Sequence, residues 1–335
     1  MKVLLVDVDS KIANLALMRL ATYYRSRGDQ VELYRHRGRK ALSLETENQP
    51  NLVCVSCLFT WNRPVADGLV KLYCGRNSEV IFGGTGFDHG KTADQRAHLP
   101  PEAEFAPPDY GLYGVDYAVG FCNRGCDRKC QFCDVPLKEG LIDPTKYRPP
   151  WTWVPDGFKK AMLLDNDPAL YGDAQHDEIF RWFIESGVKC SITQGYDIRC
   201  VTPARAALLA ELKPTALKFN EKMLYIAWDY LGIEGWVRKN LPVLLDAGFR
   251  GRDITCYTIV GFDPKTEGPT RVGDPAERAS ALHRFKVLWK EFGVFPYVMP
   301  YNNRRDDPWI RAFARFINRK IFKACAWEDY RRRPE

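Results

Sequence analysis

Four of the chain's eleven cysteines fall within twelve residues, in the stretch GFCNRGCDRKCQFCDVP, at Cys122, Cys126, Cys130 and Cys133. Thiolates crowded on one loop are the ligands of iron–sulfur clusters, and a cuboidal four-iron cluster has four irons to ligate. The spacing Cys126-x3-Cys130-x2-Cys133 supplies three ligands and would leave one iron open to a substrate or cofactor. Arg124, Arg128 and Lys129 stand among the sulfurs, where cations favour thiolate over thiol and would help hold an anionic cluster. Two other uses stay open. All four cysteines could bind one zinc ion, although zinc sites more often show two Cys-x2-Cys pairs well apart. All four could also close around a cluster that only transfers electrons. Packing at a strand end suits Cys122 better than ligation, because Asn123-Arg124-Gly125 would otherwise have to fold back tightly.

The elements that must position this loop follow from the apolar runs. Lys2–Val8 reads KVLLVDV, the pattern of a buried parallel strand. Ser10 then precedes a helical stretch in which Leu15, Leu17, Leu20 and Tyr23 recur. Further strand runs lie at Val31–Tyr34, Leu52–Phe59 and Val80–Gly86, with Gly83-Gly84 as a loop at a strand's carboxyl end. Strands alternating with helices imply an open α/β sheet over residues 1–98. Leu99–Gly111, LPPEAEFAPPDYG, is proline-rich and acidic, so residues 99–114 read as a linker. Beyond it, strands are expected at Tyr117–Phe121, Ala161–Asn166, Cys190–Gln194, Leu224–Trp228, Ile254–Val260 and Phe295–Met299. Helical patterns separate most of them. Six such units over 115–302 are too few for a closed eight-unit barrel and fit a partial, splayed one. A basic helix and tail follow over 303–335.

The cysteine loop, with the aromatic Phe132 just before its third cysteine, resembles the signature of radical S-adenosylmethionine enzymes. Their partial (β/α)6 barrel matches the six units counted independently, and the leading sheet is similar to the Rossmann-like, cobalamin-binding-type domain of one large subgroup. The resemblance covers nearly the whole chain. It implies that Cys126, Cys130 and Cys133 ligate a 4Fe-4S cluster whose open iron chelates S-adenosyl-L-methionine. A flavodoxin or ferredoxin type electron donor reduces the cluster, and cleavage yields a 5′-deoxyadenosyl radical that acts on an unidentified substrate. Phe132 would pack near the adenine. Asp165-Asn166-Asp167 stands where the family recognises the methionine amino group, although the usual Gly-Gly-Glu is missing. Gln194 or Asp197 could bind ribose hydroxyls, and Arg199 a carboxylate bidentately. Asp229 and Tyr257 through Gly261 resemble further cofactor-contacting positions, Gly261 allowing close backbone approach.

Cobalamin is possible but not favoured, because the loop DVDSKIANLALM lacks the axial histidine of an Asp-x-His-x-x-Gly motif. The leading domain is then expected to shape or cover the substrate opening. Cobalamin-dependent methylation is the alternative within the enzyme class. Methylthio transfer would need a second three-cysteine set, and Cys54, Cys57 and Cys74 are badly spaced for it; strand positions three apart, as in Cys54-x2-Cys57, point to opposite faces.

Composition bounds the rest. At 335 residues, 45% hydrophobic and 27% charged, the chain is globular and of about two domains, not disordered or fibrous. No run approaches the roughly 18 apolar residues of a membrane span, and the N-terminus has no export signal, so a cytoplasmic location is expected. Of a net charge of +7, Asn303–Glu335 carries +5, with ten basic residues against five acids. Arg311, Arg315 and Arg319 follow an i, i+4 rhythm opposite an apolar face. Such a stripe suits either a solvated face or an anionic substrate or nucleic acid, and the latter allows a rival, non-catalytic reading: an iron–sulfur nucleic-acid-binding protein.

Overall fold

The run KVLLVD forms strand β1 at Lys2–Asp7, and its alternate side chains enter two different cores. Val3 and Leu5 pack with Leu17, Leu20 and Tyr24 of helix α1, Leu15–Ser26. Leu4 and Val6 face the other way, toward Ala66, Leu69 and Tyr73. A strand buried on both faces needs apolar residues at every position, which is why the run is unbroken. Strand β2 is Gln30–Arg35, β3 Leu52–Ser56 and β4 Glu79–Gly83, and the second core is covered by α2, Arg63–Cys74. The four strands are parallel, in the order β2-β1-β3-β4. The computed structural model describes residues 1–36, 49–88, 90–91, 98–303 and 306–332.

These elements belong to the first of two compact units, Met1–Gly120 with Asp134–Gly140 and Trp153–Pro155. Asn14 rather than Ser10 caps α1, its carboxamide oxygen accepting from the Leu17 N–H while its nitrogen donates to Ser10 and Ser56. The strand-end glycine has a steric reason: Gly84 has φ +100°, and a Cβ there would lie 2.5 Å from the Cys57 carbonyl oxygen. Short helices α3, Thr85–Asp88, and α4, Pro101–Glu104, follow.

The proline-rich stretch is not a free linker. Ala103 is buried against Val3 and Leu5, Thr22 donates to the Pro107 carbonyl at 2.6 Å, and Arg25 pairs with Asp109. Its prolines serve a first helical turn, where a missing N–H costs nothing. Strand β5, Ala118–Gly120, and helix α5, Val135–Glu139, complete the unit.

The second unit is Phe121–Cys133, Leu141–Thr152 and Asp156–Glu335. Its strands and helices alternate as β6 Lys160–Leu163, α6 Asp173–Ser186, β7 Lys189–Ile192, α7 Pro203–Leu212, β8 Leu224–Ala227, α8 Glu234–Asp246 and β9 Ile254–Val260. A hairpin of β10, Phe262–Asp263, and β11, Gly268–Pro269, interrupts the alternation before α9, Pro275–Lys286, and β12, Phe295–Pro300. Strands β6 and β7 pair in parallel, as do β8, β9 and β12, and a parallel bridge from Tyr196 to Ile226 links the two groups. All six strands expected beyond residue 114 are present, while the hairpin was not foreseen.

Helix α10, Pro308–Asn318, turns Trp309, Phe313, Phe316 and Ile317 into a core with Val260 and Val298, leaving Arg311, Arg315 and Arg319 exposed. Its last residue, Asn318, accepts from the Val298 N–H at 2.8 Å and donates to the Val298 carbonyl at 2.9 Å, occupying backbone groups of an edge strand. Helix α11, Trp327–Arg332, follows; the end of the basic tail, 333–335, lies outside the described residues. No described helix is long and apolar enough to cross a membrane.

Candidate functional site

The cysteine loop is held at its root by one carboxylate. Asp165, just beyond β6 and 1% exposed, accepts from the Cys122 N–H at 2.9 Å and the Asn123 N–H at 2.7 Å. The Tyr171 hydroxyl donates to the same group. Burial pushes the Asp165 pKa up to about 6, against the pull of these donors. Arg148 N–H donates to the Cys122 carbonyl, and Asn123 reaches the Asp143 carbonyl. Asn166 donates to the Gly125 carbonyl at 3.3 Å. Asp165 and Asn166, expected to meet a cofactor, both hold the backbone of the loop. Cys122 is fully buried at that root.

Beyond the root the loop presents its other thiols. Cys126 is buried, and Cys130 and Cys133 are half-buried. Burial drives the Cys126 pKa up to about 11, the Arg128 N–H opposes it, and the charges of Asp167, Cys133 and Cys130 add to the rise. The three sulfurs thus lie near enough for Cys126 to feel the charge of the other two. Burial also raises Cys130, with the Arg199 guanidinium opposing and Asp229 and Asp197 assisting.

Asp197 and Arg199 form the wall beside Cys130. Arg128 Nε donates to Asp197 at 2.8 Å, and Arg199 Nε to the same carboxylate at 2.8 and 3.0 Å. Burial works against the Asp197 charge, yet the two guanidinium groups outweigh it and hold its pKa below the usual range. The Asp197 N–H in turn donates to Asp167, whose pKa burial and the neighbouring Asp197 charge raise to about 7. Gln194 is exposed, and among the described residues its side chain has no hydrogen-bond partner. Phe132 meets Phe262 edge-on at 5.6 Å, and Gln131 donates to Glu267, so the loop's far end rests on the β10–β11 hairpin.

A buried arginine that sequence reasoning missed organises the opposite rim. Arg284, 1% exposed on α9, donates to the carbonyls of Trp228, Asp229 and Ile259 at 2.8–3.1 Å. Glu277 lies 3.6 Å from the same guanidinium and accepts from the Gly261 N–H at 2.9 Å. Gly261 takes φ +94° to direct that N–H inward. Asp229 accepts from Ile259 N–H, and burial raises its pKa to about 6. The one sequence signal for Arg284 was its alignment with Ala281 and Leu288 on an otherwise apolar helix face.

Among the described residues, no three His, Cys, Asp or Glu side chains converge as a single bound metal ion would need. A cuboidal cluster makes a different demand, with one thiolate on each of several irons, so its ligands stand around a volume. Three coupled thiols on one loop, with Arg128 and Arg199 beside them, fit that demand in donor chemistry and in charge. Cys54 and Cys57 do not form a second set: one lies in the α1 core, the other in the α2 core, and burial raises both thiols to about 12. Among known proteins, no family model and no curated protein matches the chain.

Proposed function

We propose that the chain is a radical S-adenosylmethionine enzyme, with Cys126, Cys130 and Cys133 as ligands of a 4Fe-4S cluster. The observation that carries this reading is the loop of three thiols anchored by Asp165 and flanked by the Arg128–Asp197–Arg199 chain. The bound cofactors would supply reductive cleavage of the sulfonium to a 5′-deoxyadenosyl radical. The protein's own part is positional and electrostatic. Asp165, Asn123 and Asn166 hold the loop's backbone. Arg199 and Arg128 offset the negative charge of ligated thiolates. Asp229, Gly261 and Phe132 offer a carboxylate, a close backbone approach and a ring to a nucleoside-bearing cofactor.

The finer fold reading belongs to the same proposal. The order β2-β1-β3-β4 supports a Rossmann-like leading domain. The five parallel strands β6, β7, β8, β9 and β12 support a partial barrel of the (β/α)6 type. Thiol ligands call for a compartment that keeps cysteine reduced. The exposed Arg311, Arg315 and Arg319 row leaves room for an anionic substrate.

Anaerobic reconstitution with iron, sulfide, S-adenosylmethionine and a strong reductant tests the proposal. We expect about one four-iron cluster per chain and release of 5′-deoxyadenosine. Cys126→Ala, Cys130→Ala and Cys133→Ala each abolish release, while Cys122→Ala retains it. Cluster loss in Cys122→Ala alone would overturn the ligand assignment.

A further inference from the structure

The C-terminal part of the second unit encloses a cavity of about 310 Å3 that shares no residue with the cysteine-loop site. Its walls include Phe285, Phe316, Phe322 and Trp327, all buried and arranged edge to face, with ring centroids 5.2 to 6.3 Å apart. Lys286, Lys290 and Lys323 complete the lining as exposed residues, and among the described residues none of the three is in a salt bridge. Glu328 is the one carboxylate among the lining residues.

Two features set this cavity apart from a packing gap. Lys323, on the lining, and Lys320, which is not a lining residue, hold their ammonium groups 4.4 and 4.2 Å from the same Phe295 ring, so two like charges share one aromatic neighbour. A helix continuing from α9 also widens to a π-turn at Val287–Glu291, which buries Val287 and Leu288 while leaving Lys290 on the lining. Such turns are rare within helices and occur frequently at functional sites. Aromatic walls with a few charged groups, at a volume near the lower end for small-molecule sites, match an amphipathic ligand. The unpaired lysines fix its sign.

We propose that this cavity binds a small aromatic anion, a one- or two-ring body bearing a carboxylate, phosphate or sulfonate. The rings would lie against Phe285, Phe316, Phe322 and Trp327, and the anionic group between Lys286, Lys290 and Lys323.

The test is direct titration of the full chain with 8-anilinonaphthalene-1-sulfonate, followed by fluorescence, beside its uncharged analogue N-phenyl-1-naphthylamine. The expected result is one saturable site for the anion, with the neutral probe at least roughly tenfold weaker, the size of effect one or more desolvated charge contacts produce. The triple variant K286Q/K290Q/K323Q should lose at least about as much affinity for the anion, because charge-assisted contacts are removed at exposed positions that do not support the core. Ala326→Trp, which fills the lining from an exposed position, should abolish binding of both probes. Absence of a saturable site, equal affinity for the two probes, or unchanged binding in the lysine variant overturns the proposal. The readout is binding, so it stands or falls apart from cysteine-loop activity.

Discussion

Two loops of this protein begin at the carboxyl end of a strand and are held by aspartates, yet they differ in what they leave on offer. After β1, Asp7 accepts from Ser10 N–H, Arg35 and Tyr113, and Asp9 accepts from the N–H groups of Leu58 and Phe59 and from Asn62. The polar groups of that loop are consumed by their own unit. After β5, Asp165 does the same for the backbone of Cys122 and Asn123, but the side chains it presents are three thiols beside Arg199. A carboxylate that satisfies backbone N–H groups is a general device for fixing a loop. What differs is whether the fixed loop retains ligands to offer.

The contrast breaks most visibly at the two anchors. Asp165→Ala leaves two backbone N–H groups and the Tyr171 hydroxyl without their buried acceptor. A loss of about 3–5 kcal/mol in the second unit is expected, together with loss of cluster incorporation. Asp9→Ala removes a comparable set of bonds in the first unit and should destabilise that unit while leaving cluster content unchanged. Iron and sulfide analysis beside a denaturant titration measures both. Loss of the cluster in Asp9→Ala would erase the distinction between the loops.

A smaller effect is expected at Arg199. Arg199→Gln removes the cation that opposes the rise in the Cys130 pKa and frees Asp197 from one of its two partners. Supporting residues around a metal site are typically worth about 10–100-fold in affinity or activity. The 5′-deoxyadenosine rate should fall within that range, and Arg199→Lys should restore part of it by keeping the charge. Equal rates in the Gln and Lys variants would mean that charge is not what Arg199 contributes.

A further effect, similar in size to that at Arg199, is read by pH in the second unit. His176 is fully buried in α6, with Nε2 2.8 Å from the Tyr196 hydroxyl, and burial lowers its pKa to about 4 from an ordinary 6.5. The folded state thus resists a proton that the unfolded state takes up. The stability this group contributes is present above about pH 6.5 and is lost as pH falls toward 4. The raised carboxyls of Asp165, Asp167 and Asp229 act in the opposite sense, so the comparison must be with a variant. Between pH 6.5 and 4, His176→Gln should lose less stability than the parent, by up to roughly 3 kcal/mol. Denaturant midpoints across that interval measure it; parallel curves would exclude His176 as the acid-sensitive group.

Local pattern carried much of the architecture. The six strands of the second half, the buried β1 and the two-sided placement of Cys54 and Cys57 all follow from period-two alternation and unbroken apolar runs, which depend on neighbours in sequence. The apolar face of α10 and its exposed arginine row were legible for the same reason. Proline content misled at Leu99–Gly111, because composition reports what a backbone avoids and not what packs against it. Ser10 misled as a cap, because four residues closer to the helix Asn14 satisfies both the Leu17 N–H and the Ser10 and Ser56 hydroxyls.

By itself the sequence determined the donor set: three thiols at fixed spacing on one loop, with arginines nearby, since covalent spacing alone keeps those groups together. Tertiary structure decided which polar side chains remain available beside them. Asp165 and Asn166 hydrogen-bond to residues more than forty positions away, while Gln194 is exposed. Arg284, on a late helix, ties together the ends of β8 and β9. A buried polar group must find partners wherever the chain brings them, and in these cases the partner lies far along the sequence, beyond the reach of local pattern.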